Sequence, residues 1–186
     1  MNLADTSGAI LDELRSVLSK VPSTEAGAFV DDLLAARRIF VAGAGRSGLA
    51  GRAFAMRLMH FGFDAFVIGE IATPAYSKDD LLVVCSGSGE TGSLVSIAEK
   101  ARRIGGKIAL VTIVAESTIG KLADRRLVLP APSPKAKGGE AVRSIQPMGS
   151  LFEQAVLLLL DAVILDLMAR RGVESEEMFT RHANLE

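Results

Sequence analysis

Ser86-Gly87-Ser88-Gly89-Glu90-Thr91 sets three hydroxyls and two glycines on six consecutive residues, directly after the apolar run Leu81–Cys85. Ser86, Ser88 and Thr91 can each donate a hydrogen bond to an anionic oxygen, and Gly87 and Gly89 leave the backbone open so that its amides join them. This is the chemistry of a cradle for one phosphate group. The loop lacks the lysine of G-x-x-x-x-G-K-[ST] and has no obvious magnesium ligand beside it, which argues against nucleotide hydrolysis. A second turn, Gly43-Ala44-Gly45-Arg46-Ser47-Gly48, has the spacing G-x-G-x-x-G. Gly45 and Gly48 there permit a tight turn and close approach of the backbone to an anion, and free N–H groups at the start of the next helix point at it. Alone, such a turn also serves as a ligand-free strand-to-helix connection. A dinucleotide reading would use Glu70 as the ribose partner about 20 residues on, but leaves Ser86, Ser88 and Thr91 without a role.

Elements must bring these two turns together. Five short β-rich runs, Arg38–Ala42, Phe63–Ile68, Leu81–Cys85, Lys107–Ile113 and Arg126–Leu129, alternate with helical patterns at Ser47–Phe61, Thr91–Ile104 and Ser117–Ala123. Strands separated in this way form a parallel sheet covered on both faces, so the fold class is α/β. The expected arrangement is a doubly wound, flavodoxin-like sheet of order 2-1-3-4-5. The first and third strands are then neighbours, and the loops leaving them flank the crevice at the topological switch point. Two Gly/Ser turns converging there point to a phosphorylated ligand.

Two amphipathic helices precede the sheet: Ser7–Lys20, then one over Phe29–Leu34 capped by Ser23 or Thr24. Pro130–Gly139 reads as a Pro/Gly-rich loop carrying Lys135 and Lys137, and Ser150–Arg171 as a long helix ending before Gly172. A last helix spans about Glu174–Thr180. The chain is expected to form one domain, with N-terminal helices over 1–37, an α/β core over 38–130 and C-terminal helices and tail over 149–186. The long helix, with Leu157-Leu158-Leu159-Leu160 and Val163-Ile164-Leu165, is apolar almost all round and needs cover on every side, which a single small sheet cannot supply. That predicts a homo-oligomer.

Composition narrows the class of function. The 186 residues carry 21 Lys+Arg against 22 Asp+Glu, a formal net charge of −1, so no global field favours nucleic acid or an anionic membrane. With 49% hydrophobic residues the chain has ample material for a core. One cysteine, Cys85, excludes an internal disulfide or a thiolate metal cluster and fits a reducing cytosol. The N-terminus lacks a secretory leader pattern, and the apolar stretch Ala155–Ala169 is broken by Asp161 and Asp166. It falls short of the about 20 residues a membrane span needs, so a cytoplasmic location is expected.

With these features in place the chain resembles sugar isomerase (SIS) domains, essentially over its whole length. The resemblance is carried by Gly43–Gly48, Thr73-Pro74, Ser86–Thr91, Ser150-Leu151-Phe152-Glu153 and Arg181-His182-Ala183-Asn184-Leu185-Glu186. It implies a homotetramer with active sites at subunit interfaces. The reaction implied interconverts 3-hexulose 6-phosphate and fructose 6-phosphate through an enediol, with no cofactor and no metal. Gly87 stands where other members often carry Gln or another polar side chain.

Moving a carbonyl from carbon 3 to carbon 2 needs one base on one face of the substrate, a role that suits Glu. Under the resemblance Glu153 is the candidate base; the competing account is that an acidic residue in a first helical turn merely complements the macrodipole. His182, near the chain end, would shuttle a proton between the enediol oxygens or bind the oxyanion, acting across a subunit boundary, unless it is an unpartnered tail residue. Arg46 would pair with phosphate or a substrate hydroxyl, and Thr73 would line the pocket. His60, at a helix end, reads as a capping or packing residue. An aldose–ketose isomerase and a non-catalytic sugar phosphate sensor are the alternatives, although the 37 residues before Arg38 show no basic DNA-binding surface.

Overall fold

The computed structural model describes residues 2–132, 134 and 144–185; Lys135, Lys137 and most of the Pro/Gly-rich stretch lie outside the described residues. Helices α1 (Leu3–Leu18) and α2 (Ser23–Ala35) lead into β1 (Ile39–Gly43), α3 (Gly45–Phe61), β2 (Ala65–Val67), β3 (Leu81–Cys85) and α4 (Gly92–Ile104). Then come β4 (Lys107–Thr112), α5 (Thr118–Leu122), β5 (Arg125–Val128), α6 (Ser150–Arg171) and α7 (Ser175–Phe179). All five strands are parallel and lie in the order β2-β1-β3-β4-β5, as the alternating pattern predicts.

Strand alternation sends Ile39, Val41, Leu81, Val83, Ala109 and Val111 into a core beneath α1, α2, α3 and α6. Phe40, Leu82, Val84, Ile108 and Leu110 face the other way, against Leu94, Ala98 and Ala101 of α4 and Ile119 of α5. Burial on both faces explains why these strands are continuously apolar rather than alternating.

Several boundaries differ from the sequence expectation for local physical reasons. The first helix opens at Leu3, not Ser7, because Asn2 and Asp5 form a reciprocal capping box. Pro22, not Ser23 or Thr24, is the N-cap of α2, and it makes no side-chain cap bond. β2 is shorter than Phe63–Ile68 because it is an edge strand that pairs only with β1. α3 opens inside the glycine turn at Gly45, two residues before Ser47.

The long helix α6 receives more cover from its own chain than the sequence suggests. Leu151, Phe152, Ala155, Val156, Leu159 and Leu160 are all buried in the core shared with α1, α2 and α3. What stays open is a narrow set, Leu157, Leu158 and Leu165. No helix among the described residues is long and apolar enough to cross a membrane.

At the N-terminal edge of the sheet, Asp80 ties β3 to β1. Its carboxylate accepts hydrogen bonds from Arg38 Nη2 at 2.7 Å, Arg37 Nε at 3.2 Å and the Ser77 amide at 2.7 Å. Burial alone would raise its pKa, but together Arg38, Ser77 and Arg37 outweigh that and hold it at about 2, against an ordinary 3.8. A carboxyl depressed on folding stabilises the protein above its unfolded pKa and loses that contribution as pH falls. Asp80 is thus expected to contribute about 2 kcal/mol at neutral pH, lost as the pH falls from about 4 to about 2. Urea unfolding of the wild type and Asp80→Asn across that range checks it: the two stabilities should converge at the acid end. A gap that stays constant would assign the contribution to something other than this charge.

Candidate active site

Register brings the two turns to one level. Gly43, the last residue of β1, pairs with Cys85, the last residue of β3. The loops leaving them open onto a single cavity of about 540 Å³. Gly45, Arg46, Ser47, Ser86, Gly87, Ser88 and Thr91 all line it, so the convergence expected at the switch point is present. The entry to α6, which carries the expected base Glu153, closes the opposite side with Met148, Gly149 and Phe152, whose place in the lining was not legible in the sequence.

Three helices therefore begin at this cavity: α3 behind Ala44, α4 behind Thr91 and α6 behind Gly149, none of them with a side-chain cap bond. By contrast Asn2 and Ser117 cap α1 and α5 with their side chains. An uncapped first turn leaves amides free to bind an anion, and each helix adds roughly half a positive charge at that end. Three such ends at one cavity make it attractive to phosphate without any contribution from the chain's net charge.

The Ser/Gly loop is organised around its own hydrogen bonds. Ser86 Oγ accepts from the Gly89 amide at 3.2 Å, and Ser88 Oγ accepts from the Glu90 amide at 3.2 Å. With oxygen lone pairs used internally, both hydroxyl protons remain to be donated outward. Gly89 serves the shape of the loop and does not line the cavity: its φ is +63°, and a Cβ there would fall on the Ser117 side chain. Glu90 turns away to accept from the Thr118 amide at 2.7 Å, and this bond holds its carboxyl below the usual range.

The glycines of the first turn divide their work differently from the sequence reading. Gly45 adopts φ +56°, the left-handed turn expected of it. Gly48 instead packs against the backbone of Gly43: a Cβ on it would lie 2.6 Å from the Gly43 carbonyl oxygen. Backbone cannot yield there without prising α3 from β1. Gly48→Ala is expected to cost about 1–3 kcal/mol, a fall in Tm of several degrees, while Gly92→Ala, where nothing lies within 4 Å, changes Tm by less than about one degree. Thermal unfolding of the two variants checks the contrast.

Glu153 stands in the first turn of α6 with its side chain 21% exposed, and Arg46 Nε lies 2.7 Å from its Oε2. Arg46 thus engages the candidate base rather than standing open for phosphate. Cys85 is fully buried and burial pushes its thiol up to about 12, so it is no nucleophile at neutral pH.

Two expected site residues lie elsewhere. Thr73 donates its hydroxyl to the Val67 carbonyl at 2.6 Å and faces an apolar groove with Met56, Met59 and Phe66, outside the cavity, because the β2 loop folds back over the sheet edge. His182 lies in a second hollow of about 490 Å³ between the ends of α3 and α6, stacked on His60 at 5.4 Å. That hollow is lined from Asp161 to Met168 of α6, between about 12 and 22 Å along the helix from Glu153. In one chain the two candidate catalytic residues do not meet. His60 is the packing residue expected: burial first, then Arg57 and His182, lower its pKa. The tail docks there through Arg181, which donates to the His60 carbonyl at 3.1 Å.

Comparison with known proteins gives a consistent picture. The SIS domain family model matches residues 32–158. A 3-hexulose-6-phosphate isomerase of Bacillus subtilis (strain 168) is 50% identical over 186 residues, covering all of both chains. One of Mycobacterium gastri is 41% identical over 185 residues, covering 100% of this chain and 92% of its own. A crystal structure of a hypothetical protein from Methanococcus jannaschii, from which a function of 3-hexulose-6-phosphate isomerase was inferred, aligns with a TM-score of 0.82 at 36% identity, covering 97% of this chain and 96% of its own.

Proposed function

The chain belongs to the SIS domain family, and on that premise we propose that it is a 6-phospho-3-hexuloisomerase, interconverting 3-hexulose 6-phosphate and fructose 6-phosphate. The observation that carries the reading is one cavity that joins a loop of outward-donating hydroxyls and three uncapped helix ends to the carboxylate of Glu153. The phosphate ester sits among Ser86, Ser88, Thr91, Ser47 and the amides of Gly45 and Gly87. The carbon chain then runs toward Glu153. Glu153 removes the proton from carbon 2 of the 3-ketose, leaving an enediol, and returns it to carbon 3. Arg46 orients that carboxylate and offers its remaining N–H groups to the oxygens on which charge develops. The 3-ketose stays open-chain, because a five-membered ring on carbon 3 would need the oxygen at carbon 6, which carries the phosphate. No cofactor or metal enters these steps.

The second proton, exchanged between the two enediol oxygens, falls to His182 of a neighbouring subunit, since within one chain the imidazole is docked beside His60. An exposed apolar stripe at helical spacing on α3, Leu49, Met56 and Met59, together with Leu158 and Leu165 on α6, supports assembly into a homotetramer with shared sites. Residues 1–186 act as one SIS unit, in the cytoplasm, at the step that follows formaldehyde condensation in the ribulose monophosphate pathway.

Incubating the protein with fructose 6-phosphate in D₂O and following the sugar by NMR tests the reading. Deuterium entering at carbon 3, with 3-hexulose 6-phosphate appearing, is the expected result. Exchange confined to carbon 1 would mean an aldose–ketose isomerase, and saturable binding without exchange would mean a sensor.

A further inference from the structure

We infer that the ring of Phe152, seated against Gly87, is the spacer that sets how far the phosphate cradle stands from Glu153, and so decides which carbon of the substrate meets the base. The inference rests on the isomerase reading and deepens it.

The observation is a run of contacts across the cavity floor. Gly87 is anchored on one side by its carbonyl, which accepts from the Ile113 amide and from Thr112 Oγ1, both at 3.0 Å, at the end of β4. On the other side the Phe152 ring occupies the space a side chain would need: a Cβ built on Gly87 would stand 3.2 Å from Cδ1 and Cε1 of that ring and 3.3 Å from Ile113 Cδ1. Phe152 is 2% exposed and buried in the core, so the ring cannot swing away without moving the first turn of α6. Glu153 is the next residue on that turn. The path from Thr112 and Ile113 through Gly87 and Phe152 to Glu153 is therefore continuous, with less than a methyl group's room between Gly87 and the ring, and it links the donors that would hold phosphate to the group that would take the proton. A glycine at position 87 leaves the place beside Ile113 to the ring.

Phosphate held at carbon 6 leaves both carbon 3 and carbon 1 of fructose 6-phosphate bearing removable protons next to the carbonyl. Chemistry at either is possible in principle; the cradle-to-base distance selects between them. A misplacement of 1 Å costs about 10²-fold in rate, so a few tenths of an ångström costs several-fold.

Two substitutions perturb the spacer in opposite directions. Gly87→Ala inserts a methyl group against the ring, and Phe152→Leu removes the ring edge. Each is expected to lower kcat by about several-fold and to raise deuterium exchange at carbon 1 relative to carbon 3, and Phe152→Leu, which leaves every residue of the cradle in place, is expected to keep inhibition by inorganic phosphate within about twofold of wild type. The combined variant, with methyl and leucine sharing the space, should recover part of the lost kcat, which a general loss of stability would not do. Unchanged kcat and exchange ratio in Gly87→Ala, additive losses in the pair, or phosphate inhibition weakening in step with kcat in Phe152→Leu would each overturn the inference. Gly87→Ala decides alone if Phe152→Leu does not fold. Should the wild-type protein show no exchange from fructose 6-phosphate at all, it is the isomerase reading that fails, whereas wild-type exchange with indifferent variants removes the spacer only.

Discussion

Glu153→Gln is expected to lower turnover of fructose 6-phosphate by about 10³–10⁴-fold while inorganic phosphate continues to inhibit the residual reaction at its wild-type concentration. The carboxamide has the shape of the carboxylate and fills the same place at the start of α6, but it cannot accept the carbon-bound proton. None of the hydroxyls of the Ser86–Thr91 loop is hydrogen-bonded to Glu153, so the cradle should not register the change. The competing account, in which the acid only complements the α6 macrodipole, predicts something different in kind. It predicts a loss of about 0.3–1 kcal/mol in stability with turnover intact. Steady-state kinetics with a phosphate inhibition series, run beside a urea melt, separates the two, and retained turnover would remove Glu153 from the role of base. Arg46 sharpens the comparison, because its ion pair with Glu153 at 2.7 Å disappears in the variant without any change to the phosphate end.

The convergence on which this experiment depends is legible in the sequence, and for a definite reason. Sheet order follows from strand–helix alternation, and a parallel sheet of order 2-1-3-4-5 places the ends of its first and third strands side by side. Ser86, Ser88 and Arg46 could therefore be assigned to one crevice from spacing alone. Phe152 could not, since its contact with Gly87 spans 65 positions and depends on how α6 lies over the sheet rather than on any local pattern. The role of Gly48 is hidden for a related reason: a glycine needed for close approach to backbone and one needed for close approach to an anion look the same in a motif. Thr73 beside Pro74 carried a family resemblance but no periodicity that would say which way its loop turns. For His60 the sequence offers a helix end and for His182 a motif near the chain end, but neither says that the two rings meet, and their stacking follows from Arg181 docking the tail at the end of α3.

The separation of His182 from Glu153 leads to the second large effect. If the imidazole serves a neighbouring subunit's site, His182→Ala and Glu153→Gln should each be inactive as homo-oligomers, yet regain activity when unfolded together and refolded as a mixture. In a mixed interface one site receives both altered residues and the other receives neither, because a symmetric contact pairs each subunit's Glu153 with its partner's His182. Random assortment then yields roughly a quarter of wild-type activity, a recovery far above the residual rate of either parent. A histidine acting within its own chain would give no recovery, since every site would lack one group or the other. A tail histidine that only packs on His60 and Phe179 would show itself sooner, as a His182→Ala homo-oligomer with wild-type kcat and a lowered Tm. The geometry favours recovery: the hollow that holds His182 and the cavity that holds Glu153 lie at opposite ends of the α3–α6 pair, with the exposed apolar stripe of Leu49, Met56 and Met59 running between them. Two copies packed antiparallel along that stripe would bring each end of one against the other end of its partner.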